Sequence, residues 1–475
     1  MASLKKNFGY QIAYQILTVI LPLITSPYLS RVIGSKGIGE YSFSYSVVYY
    51  FSLFVLLGVN NHGTRIIAKV REEKRQLSIE FWSVYFIQLF MGICTFLIYY
   101  VLCIFSNGDN LLAKIQILYL VSAVIDINWF FFGIENFKVT VIRNFIIKLS
   151  TVLLIFFCVK SPNDVWIYTF IMALSFLISQ ILLWPFLLRA ISFIPLTEIN
   201  IKKHIKPMLI LFIPVVATSI FKYMDKIMLG IMCNKSELGL YDNSEKIMSI
   251  PLSLIVALGT VMLPRISNMI SQNKKKEINQ YMYFSMICSM TASCALAFGL
   301  AAIGPTFAPF FWGNEFEQCG MLIRYIAVTI IFISWANVLR TQYLIPAEKD
   351  SIFVKATIYG AVINFVINYT LITPLGALGT VIGTVVAEFI VAFYQTIKCV
   401  KNIPIKKYLI DCFPFLIIGT VMYFVVILVS RVPINIFLLL ILEIVTGGSV
   451  YVTLCYVYIR MVKKITIRNL IQIIN

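Results

Sequence analysis

Apolar runs of about 18 to 25 residues recur along the whole chain, and each is long enough for a helix to cross a hydrocarbon core of about 30 Å. Lipid admits only helices and closed barrels, and the sequence has no segments that alternate apolar with polar residues. Only 13% of the residues are charged, against about 25% in soluble domains, which is too few for a water-exposed surface. The sequence therefore predicts an all-α, polytopic membrane protein.

Charged and turn-rich breaks between these runs predict about fourteen transmembrane helices. The first run follows two lysines and lacks a small-residue cleavage site, so we expect an uncleaved helix that also directs insertion. The predicted spans lie near residues 10–33, 39–59, 82–105, 112–134, 144–160, 166–189, 207–231, 248–269, 279–303, 321–345, 353–373, 377–397, 410–430 and 434–458.

Lysine and arginine are distributed unevenly among the short connections between these spans. The two termini and alternate connections hold 29 of the 39 basic residues, and the remaining connections and spans hold 10. This bias predicts that both termini lie in the cytoplasm. It also accounts for the net charge of +18, because basic loops face anionic lipid headgroups, so nucleic acid is not needed as a partner.

An internal repeat relates the two halves of the chain. The segment SKGIGEYSFSYS, from Ser35, resembles KSELGLYDNSEK, from Lys235, at an offset of 200 residues. Six spans separate the two segments, so the halves run in the same direction and are related by a pseudo-two-fold axis along the membrane normal. We expect an N-terminal lobe (1–200), a C-terminal lobe (201–400), and two further helices with a cytoplasmic tail (401–475). Two six-helix lobes around a central cavity are typical of a transporter.

The seventh predicted span carries charges that are costly in lipid. Within TSIFKYMDKIMLG, the polar side chains of Thr218, Ser219, Lys222, Asp225 and Lys226 fall on an arc of about 120°, and apolar residues cover the rest of the helix. One interpretation is that this stripe lines a water-filled cavity. The other is that the charges pair with each other and reach the outer interface, because they lie in the outer third of the span.

Three further basic residues lie in or near predicted spans. Arg31 lies at a similar outer depth in the first span, after Pro22 and Pro27, which we expect to kink that helix. Arg324 lies near the outer end of the tenth span, and Lys148 lies about one turn inside the cytoplasmic end of the fifth. Each is a candidate for anion binding, with snorkelling to the interface as the alternative.

Three carboxylates lie near the predicted midplane: Asp126, Glu388 and Glu443. A carboxylate at this depth needs a partner cation or a bound proton, so coupling to H⁺ or Na⁺ is one interpretation. A protonated carboxyl that bonds a neighbouring helix is the other. Asn364 and Asn368 lie one turn apart and either join helices by hydrogen bonds or line the cavity.

Motifs of catalysis and cofactor binding are missing from the sequence. It has no GxxxxGK[ST] phosphate loop, and its two histidines form no HExxH motif. The ten cysteines are scattered singly without a CxxC pair. We therefore expect no metal, no cofactor and no enzymatic activity.

Four segments, in order, resemble the Wzx-type oligosaccharide (polysaccharide repeat-unit) flippases of the multidrug/oligosaccharidyl-lipid/polysaccharide exporter superfamily. These segments are PLITSPYLSRVIGSKGIGEYSFSYSVVYYF, DINWFFFGIENFKVTVIRN, DKIMLGIMCNKSELGLYDNSEKI and PLGALGTVIGTVVAEFIVAFYQ. The resemblance runs from about residue 5 to beyond residue 398. It implies a MATE-like pair of six-helix lobes in the bacterial inner membrane. It also implies that undecaprenyl-diphosphate-linked oligosaccharides are flipped to the outer leaflet by alternating access, for O-antigen, capsule or exopolysaccharide assembly.

The resemblance assigns roles to several residues. Arg31 in SRVIG and the pair Asp225 and Lys226 in DKIMLG match the family motifs. A cationic cavity would hold the diphosphate, and a polar, aromatic lining would hold the glycan. The candidate cations are Arg31, Lys148, Lys222, Lys226 and Arg324; the candidate lining residues are Tyr10, Tyr14, Tyr28, Ser30, Tyr223 and Asn364. The implied partners are the lipid-linked oligosaccharide, membrane lipids, a polysaccharide polymerase and a chain-length regulator.

Three alternative functions remain at this stage. A multidrug or organic-cation exporter of the same superfamily would favour carboxylates in the cavity, whereas the outer charges here are mostly basic. A lipid II flippase shares the architecture. A membrane-embedded polymerase or ligase is disfavoured, because the longest outer connection, Gly304–Gly320, is short and apolar.

Overall fold

A computed structural model describes residues 2–105, 111–272 and 274–462, and throughout these ranges the regular structure is helical, without a strand. Only the backbone is described at residues 2–19, 105, 220–222 and 461–462 and at scattered positions within 214–276. The helices are α1 (Ala2–Leu56), α2 (Val59–Val70), α3 (Lys74–Phe105), α4 (Leu111–Ile115), α5 (Ile117–Val124), α6 (Asn128–Gly133), α7 (Phe137–Cys158), α8 (Val165–Ile181), α9 (Trp184–Ala190), α10 (Lys202–Met232), α11 (Lys235–Ser271), α12 (Lys275–Trp312), α13 (Glu317–Ile326), α14 (Thr329–Leu339), α15 (Asp350–Leu375), α16 (Ala377–Cys399), α17 (Ile405–Val429) and α18 (Ile436–Val457). Short 3₁₀ turns lie at Pro162–Asp164, Leu196–Glu198 and Asn314–Phe316, and π-helical turns lie at Arg340–Leu344 and Tyr458–Val462.

Every predicted span falls on one of these helices or on a chain of broken helices, which confirms the all-α membrane fold. Among the described residues, ten helical stretches are long and apolar enough to cross a membrane. The pair Asn314–Ile326 and Thr329–Leu344, bent by 41°, would be an eleventh. The stretch Ile20–Val70 is 51 residues long and contains the second predicted span and the part of the first from residue 20 onward. The exact count of fourteen crossings is therefore not confirmed.

Helix breaks recur at the offset of the sequence repeat. Helix α1 breaks at Gly34, where φ is 67°, a value that glycine adopts readily because it has no side chain. Two hundred residues later, Asn234 lies in the gap between α10 and α11. The Asn234 Oδ1 accepts a hydrogen bond from the backbone N of Glu237 at 2.8 Å and so caps α11. The Lys235 Nζ donates to the carbonyl oxygen of Gly230 at 2.6 Å, which satisfies a carbonyl that the break releases.

The helices that follow the two breaks approach each other through a matched pair of glycines. A methyl group on Gly39 would overlap the carbonyl oxygen of Lys235 and lie 2.7 Å from its carbon. A methyl group on Gly239 would overlap the carbonyl oxygen of Ser35 and lie 2.8 Å from its carbon. Both glycines and both carbonyls are related by the same offset of 200 residues. Equivalent residues of the two repeats thus meet in a reciprocal backbone contact that only glycine allows.

The chain forms two compact units, and the contacts above lie within the first. Unit 1 comprises Met1–Gly230 with Asn234–Gly239, and unit 2 comprises Ile231–Cys233 with Leu240–Asn475. The predicted domain limits at 200 and 400 remain a prediction. In unit 1, fully buried aromatic residues, among them Phe81, Trp129 and Phe130, form a core where α2, α3 and α6 meet. In unit 2, α12 packs against α13, α14, α17 and α18, and α15 packs along α16.

The exposed surface of both units is apolar, as expected for helices in contact with lipid. Large hydrophobic side chains are exposed along α3, α7, α15, α17 and α18. On α17, for example, Phe413, Ile417, Phe424 and Leu428 are each more than half exposed. A soluble protein would not leave such continuous apolar faces uncovered. The chain is therefore a multi-pass membrane protein.

The glycine contact makes a direct prediction. Gly39→Ala should lower the free energy of unfolding by about 3 kcal/mol or more, because the new methyl group meets rigid backbone instead of a side chain that can move. Thermal unfolding of the purified protein in detergent measures the effect. Gly448→Ala on α18 is the matched control, because nothing lies within 4 Å of the added methyl group. Equal melting temperatures for the two variants would contradict the contact.

Candidate functional site

Three tyrosines project from one face of the part of α1 that follows the break at Gly34. Tyr41, Tyr45 and Tyr49 are spaced four residues apart, so they stack along the helix with ring centroids 5.9 and 6.1 Å apart. The serines of the neighbouring face, including Ser42 and Ser46, are buried, and the Ser46 hydroxyl bonds back to the carbonyl oxygen of Ser42 at 2.7 Å. One side of the helix is therefore packed, and the other presents a half-buried row of phenols.

Three other helices of unit 1 extend this row into a group that we call the tyrosine cluster. Tyr119 of α5 lies 5.2 Å from Tyr45 between ring centroids, with 3.5 Å between the hydroxyl oxygens. Tyr223 of α10 stacks on Tyr49 at 4.0 Å, and Tyr168 of α8 lies 4.5 Å from Tyr41. The tyrosine cluster is Tyr41, Tyr45, Tyr49, Tyr119, Tyr168 and Tyr223.

The charged stripe of α10 lies beside the tyrosine cluster. Lys226 is only 9% exposed, and its Nζ lies 6.0 Å from the ring centroid of Tyr223. Its positive charge acts on the hydroxyl of Tyr45, and the negative charge of Asp225, which is 1% exposed, acts on Tyr50. These placements favour the interpretation that the stripe faces protein and polar groups rather than the outer interface. The side chain of Lys222 lies outside the described residues.

The other predicted cations are not gathered at this cluster. Arg324 belongs to unit 2, where its Nε donates to the carbonyl oxygen of Ala301 at 3.4 Å. Lys148 is half-buried on α7, and Arg31 is exposed on α1, three residues before the break. Their role in anion binding remains a prediction.

The predicted glycan-lining residues are likewise not all found at the tyrosine cluster. Tyr223 lies in the tyrosine cluster, whereas Tyr28 packs inside unit 1 and donates from its hydroxyl to the carbonyl oxygen of Val159 at 2.6 Å. Ser30 is buried, at 2% exposed. The side chains of Tyr10 and Tyr14 lie outside the described residues.

Asp126 holds a helix break together. It lies between α5 and α6, and its Oδ1 accepts hydrogen bonds from the backbone N and the Nδ2 of Asn128 at 2.8 and 2.7 Å. The Nη2 of Arg143 donates to Asn128 Oδ1 at 3.0 Å, so the charge of the carboxylate is balanced through a hydrogen-bonded neighbour. This geometry supports a structural role for Asp126, and its predicted role in ion coupling remains untested.

The carbonyls that this break releases are satisfied by buried side chains. The Nε2 of Gln88, which is completely buried, donates to the carbonyl oxygens of Ala123, Val124 and Asp126 at 2.9, 3.0 and 2.8 Å. The Nε1 of Trp184 donates to the carbonyl oxygen of Ile125 at 3.1 Å. The break in the fourth predicted span is thus stabilised by specific side chains of unit 1.

The remaining polar candidates lie in unit 2. Glu443 is 1% exposed and accepts a hydrogen bond from the Thr306 hydroxyl at 3.0 Å, while its Oε2 has no hydrogen-bond partner among the described residues. Asn364 accepts from the Nδ2 of Asn368 at 3.3 Å within α15, so this bond tests neither interpretation of the two asparagines. Glu388 is half-buried, and its charge acts on Arg340.

Sequence reasoning missed most of the tyrosine cluster and the placement of Arg340. The spacing of four residues in YSFSYSVVYYF is the signal that identifies Tyr41, Tyr45 and Tyr49 as one face. Arg340 counted only as a basic residue of a cytoplasmic connection. It instead begins a π-helical turn, and its guanidinium carbon lies 5.1 Å from the ring centroid of Phe353.

Comparison with known proteins identifies a family and close relatives in fold. The family model described as polysaccharide biosynthesis protein matches residues 4–270. A candidate O-antigen transporter of Shigella dysenteriae is 24% identical over 403 residues, which cover 84% of this chain and 100% of the relative.

Two solved structures share the fold. The lipid II flippase MurJ, in an inward closed conformation, has a TM-score of 0.75 at 16% identity and covers 95% of this chain and 99% of its own. An inward-facing multidrug transporter of the MATE family, in the MOP superfamily, has a TM-score of 0.60 at 13% identity and covers 80% and 98%. The predicted MATE-like architecture is confirmed, and these low identities concern the fold alone.

The Asp126 contacts predict the effect of two substitutions. Asp126→Ala removes both hydrogen bonds at the break and should lower the free energy of unfolding by about 2 kcal/mol. Asp126→Asn keeps the Oδ1 acceptor and should cost less than half as much. Thermal unfolding of both variants in detergent measures the difference. If Asp126→Ala melted at the wild-type temperature, the structural role would be wrong.

Proposed function

The chain belongs to the polysaccharide biosynthesis protein family, and from that premise we propose that it is a flippase for lipid-linked oligosaccharides. It moves undecaprenyl-diphosphate-linked repeat units from the cytoplasmic to the outer leaflet by alternating access. The observation that carries this proposal is the relationship to a candidate O-antigen transporter over that protein's entire length. The product serves the assembly of O-antigen, capsule or exopolysaccharide.

The tyrosine cluster suits the glycan part of this substrate. Tyrosine rings cover the apolar faces of sugar rings, and their hydroxyls donate and accept hydrogen bonds. Four of the six residues, Tyr41, Tyr45, Tyr49 and Tyr119, are partly exposed, which leaves surface for a ligand, whereas Tyr168 and Tyr223 are buried. Because phenols are neutral, the cluster binds many sugars moderately, as a transporter that must release its cargo requires.

Lys226 supplies the positive charge that a diphosphate needs inside a membrane. It is buried beside the cluster, where a charge-assisted contact to phosphate is stronger than at the surface. Asp225, the residue before it, limits the net positive charge, so that the anion can leave. Arg31, Lys148 and Lys222 extend this path in the proposal, and Arg324 is a separate candidate for anion binding in unit 2.

The membrane setting and partners follow from the same function. The distribution of basic residues supports both termini in the cytoplasm, and the relationship to a candidate O-antigen transporter of Shigella dysenteriae supports a bacterial inner-membrane location. The substrate is carried without covalent change, so no enzymatic activity is proposed. A polysaccharide polymerase and a chain-length regulator would act on the exported units, and the carboxylates Glu388 and Glu443 are candidates for coupling to H⁺ or Na⁺.

The fold shared with the lipid II flippase MurJ supports one second candidate, the export of lipid II itself. Both cargoes combine a polyprenyl tail, a diphosphate and a glycan, so a similar cationic, aromatic path serves either. Rescue of a strain depleted of its lipid II flippase by this chain would favour the second candidate.

Deletion of the gene tests the leading proposal. The deletion strain should accumulate lipid-linked repeat units that are inaccessible from outside and should lose its surface polysaccharide. Protease-free spheroplasts probed with an impermeant lectin or glycosidase measure the accessible fraction. Normal surface polysaccharide in a strain without a redundant flippase would overturn the proposal.

The charge of Lys226 should matter for export and not for folding. Lys226→Gln should reduce export roughly tenfold or more, because one charge-assisted contact to the diphosphate is lost. Lys36→Gln is the matched control, since the Lys36 side chain is 76% exposed and lies 3.9 Å from Glu40. Complementation of the deletion strain, normalised to membrane protein level, measures both. Full export by Lys226→Gln at normal abundance would contradict the diphosphate role.

A further inference from the structure

Unit 1 contains a buried chain of titratable groups that the proposed transport path does not use. The Lys203 Nζ of α10 lies 2.5 Å from Oε1 of Glu80, which belongs to α3. The His204 Nε2 lies 3.0 Å from the other carboxylate oxygen, Oε2. The His204 Nδ1 lies 2.9 Å from the Nε2 of His62, which belongs to α2. Glu80, His204 and His62 are 3%, 1% and 7% exposed, whereas the Lys203 side chain is half exposed, so the chain reaches solvent at its lysine end.

His62 and His204 are the only two histidines in the sequence, and they lie 142 residues apart. Two imidazoles in direct hydrogen-bond contact share one proton between the facing nitrogens, because only one of these nitrogens can donate. In the state without an added proton, the Nε2–H of His62 donates to the Nδ1 of His204, and the Nε2 of His204, 3.0 Å from Glu80 Oε2, carries the other proton. Both rings are then neutral.

One added proton is accommodated without breaking this chain. The proton binds at Nδ1 of His62, and the proton on Nε2 of His62 passes to Nδ1 of His204. His62 is then neutral with its proton on Nδ1, and His204 carries the positive charge next to Glu80. Since an imidazolium beside a carboxylate forms a stronger contact than a neutral ring does, the loaded state draws α10 towards α3.

The present contact leaves room for that change. The Glu80 Oε2 is close to His204 but has no aligned hydrogen-bond donor among the described residues. A small rotation of the charged ring would align the Nε2–H with this oxygen. Oε1 already accepts from Lys203 and from the Nε2 of Gln76, at 3.0 Å for the latter, so Oε2 is the oxygen that can respond.

We propose that Glu80, His204 and His62 bind one exchangeable proton as a unit, and that this proton controls how firmly the start of α10 is attached to α2 and α3. The charged groups that act on His62 come from each of the three helices: Arg65 from α2, Glu80 from α3 and Lys203 from α10. Burial opposes a charge on His62 most strongly, a charge on His204, Arg65 or Lys203 opposes it as well, and only Glu80 among these groups favours it.

The ligand of this site is a proton rather than a metal cation. The groups around Glu80 are donors, namely an ammonium, an amide N–H and an imidazole N–H, whereas Na⁺ requires several oxygen ligands. Among the described residues, no group of three His, Cys, Asp or Glu side chains could hold a metal ion. The ammonium of Lys203 would also repel a second cation at this distance.

The site lies on the helix that carries the candidate transport residues. Tyr223, Asp225 and Lys226 follow His204 by about 29 to 33 Å along α10, at 1.5 Å per residue. Attachment of the start of α10 therefore affects the tyrosine cluster through one continuous helix. The effect on export rests on the proposed function, whereas proton binding by the histidine pair does not.

Histidine NMR tests the proposal directly, because the chain has two histidines. The full-length protein, purified with a histidine-free affinity tag in lipid nanodiscs, is labelled with ¹⁵N-histidine and titrated from pH 8 towards acid. We expect both rings to change together with one midpoint and the uptake of one proton. Glu80→Gln should move this midpoint to lower pH by about one unit or more, because the carboxylate that favours the imidazolium is gone. Glu73→Gln, at an exposed position of the preceding turn, should leave it unchanged.

A second readout covers variants that fold poorly. His62→Asn removes the outer member of the chain and should change the protonation of His204. At the acidic end of the titration, amide hydrogen exchange in the first turns of α10 should be faster in this variant than in the wild type at the same pH. Independent titration of the two rings, or the same midpoint for Glu80→Gln and Glu73→Gln, would overturn the proposal. If the two rings titrate together as expected but export does not depend on pH, the result counts against the proposed function and not against proton binding.

Discussion

The need to satisfy every backbone polar group inside lipid governs where this chain can depart from a straight helix. The break between α5 and α6 is possible because Gln88 and Trp184 donate to the released carbonyls and Asp126 accepts from the next helix. The break after α10 is closed by Lys235 and Asn234 in the same way. Each interruption therefore requires specific polar side chains nearby. In unit 1, Gln88 and Trp184 thus satisfy the backbone at this break, and the contacts of Asp126 support the same structural role.

That constraint separates three kinds of polar group. Groups such as Asp126 and Gln88 are engaged with the backbone at the break between α5 and α6 and have little freedom to respond to a ligand. The Glu80 carboxylate and the two histidines are bonded to side chains on three different helices, and their protons can redistribute. Lys226 and the half-exposed tyrosines lie beside one another without closing a helix break. Only the Glu80, His204 and His62 chain, and Lys226 with the tyrosine cluster, retain groups that can bind a proton or a ligand.

The sequence was sufficient to predict the membrane class, the positions of the helices and the repeat, because these depend on local apolar length and on a fixed offset. It identified Lys226 and Asp225 through helical periodicity within α10 alone. The tyrosine cluster was missed because its members come from α1, α5, α8 and α10, and their contact depends on how these helices pack. The pairing of His62 with His204 was invisible for the same reason. The depth of Asp126 left two interpretations open, ion coupling and a protonated carboxyl that bonds a neighbouring helix, and it did not reveal that its oxygen bonds the backbone of Asn128.

Helix α10 is the one element that joins these observations. Its first turn bears Lys203 and His204, and its distant part bears Tyr223, Asp225 and Lys226. The backbone between these two parts contains Pro207 and Pro214, which have no N–H to donate, so a shift at the first turn reaches the distant part as a change of bend at these prolines. A large amphiphilic substrate must be bound and then released. Because one helix bears both regions, a change in protonation near His204 alters the position of the helix at Tyr223 and Lys226. The proton site and the proposed substrate site are therefore coupled without any further element, because the same helix bears both.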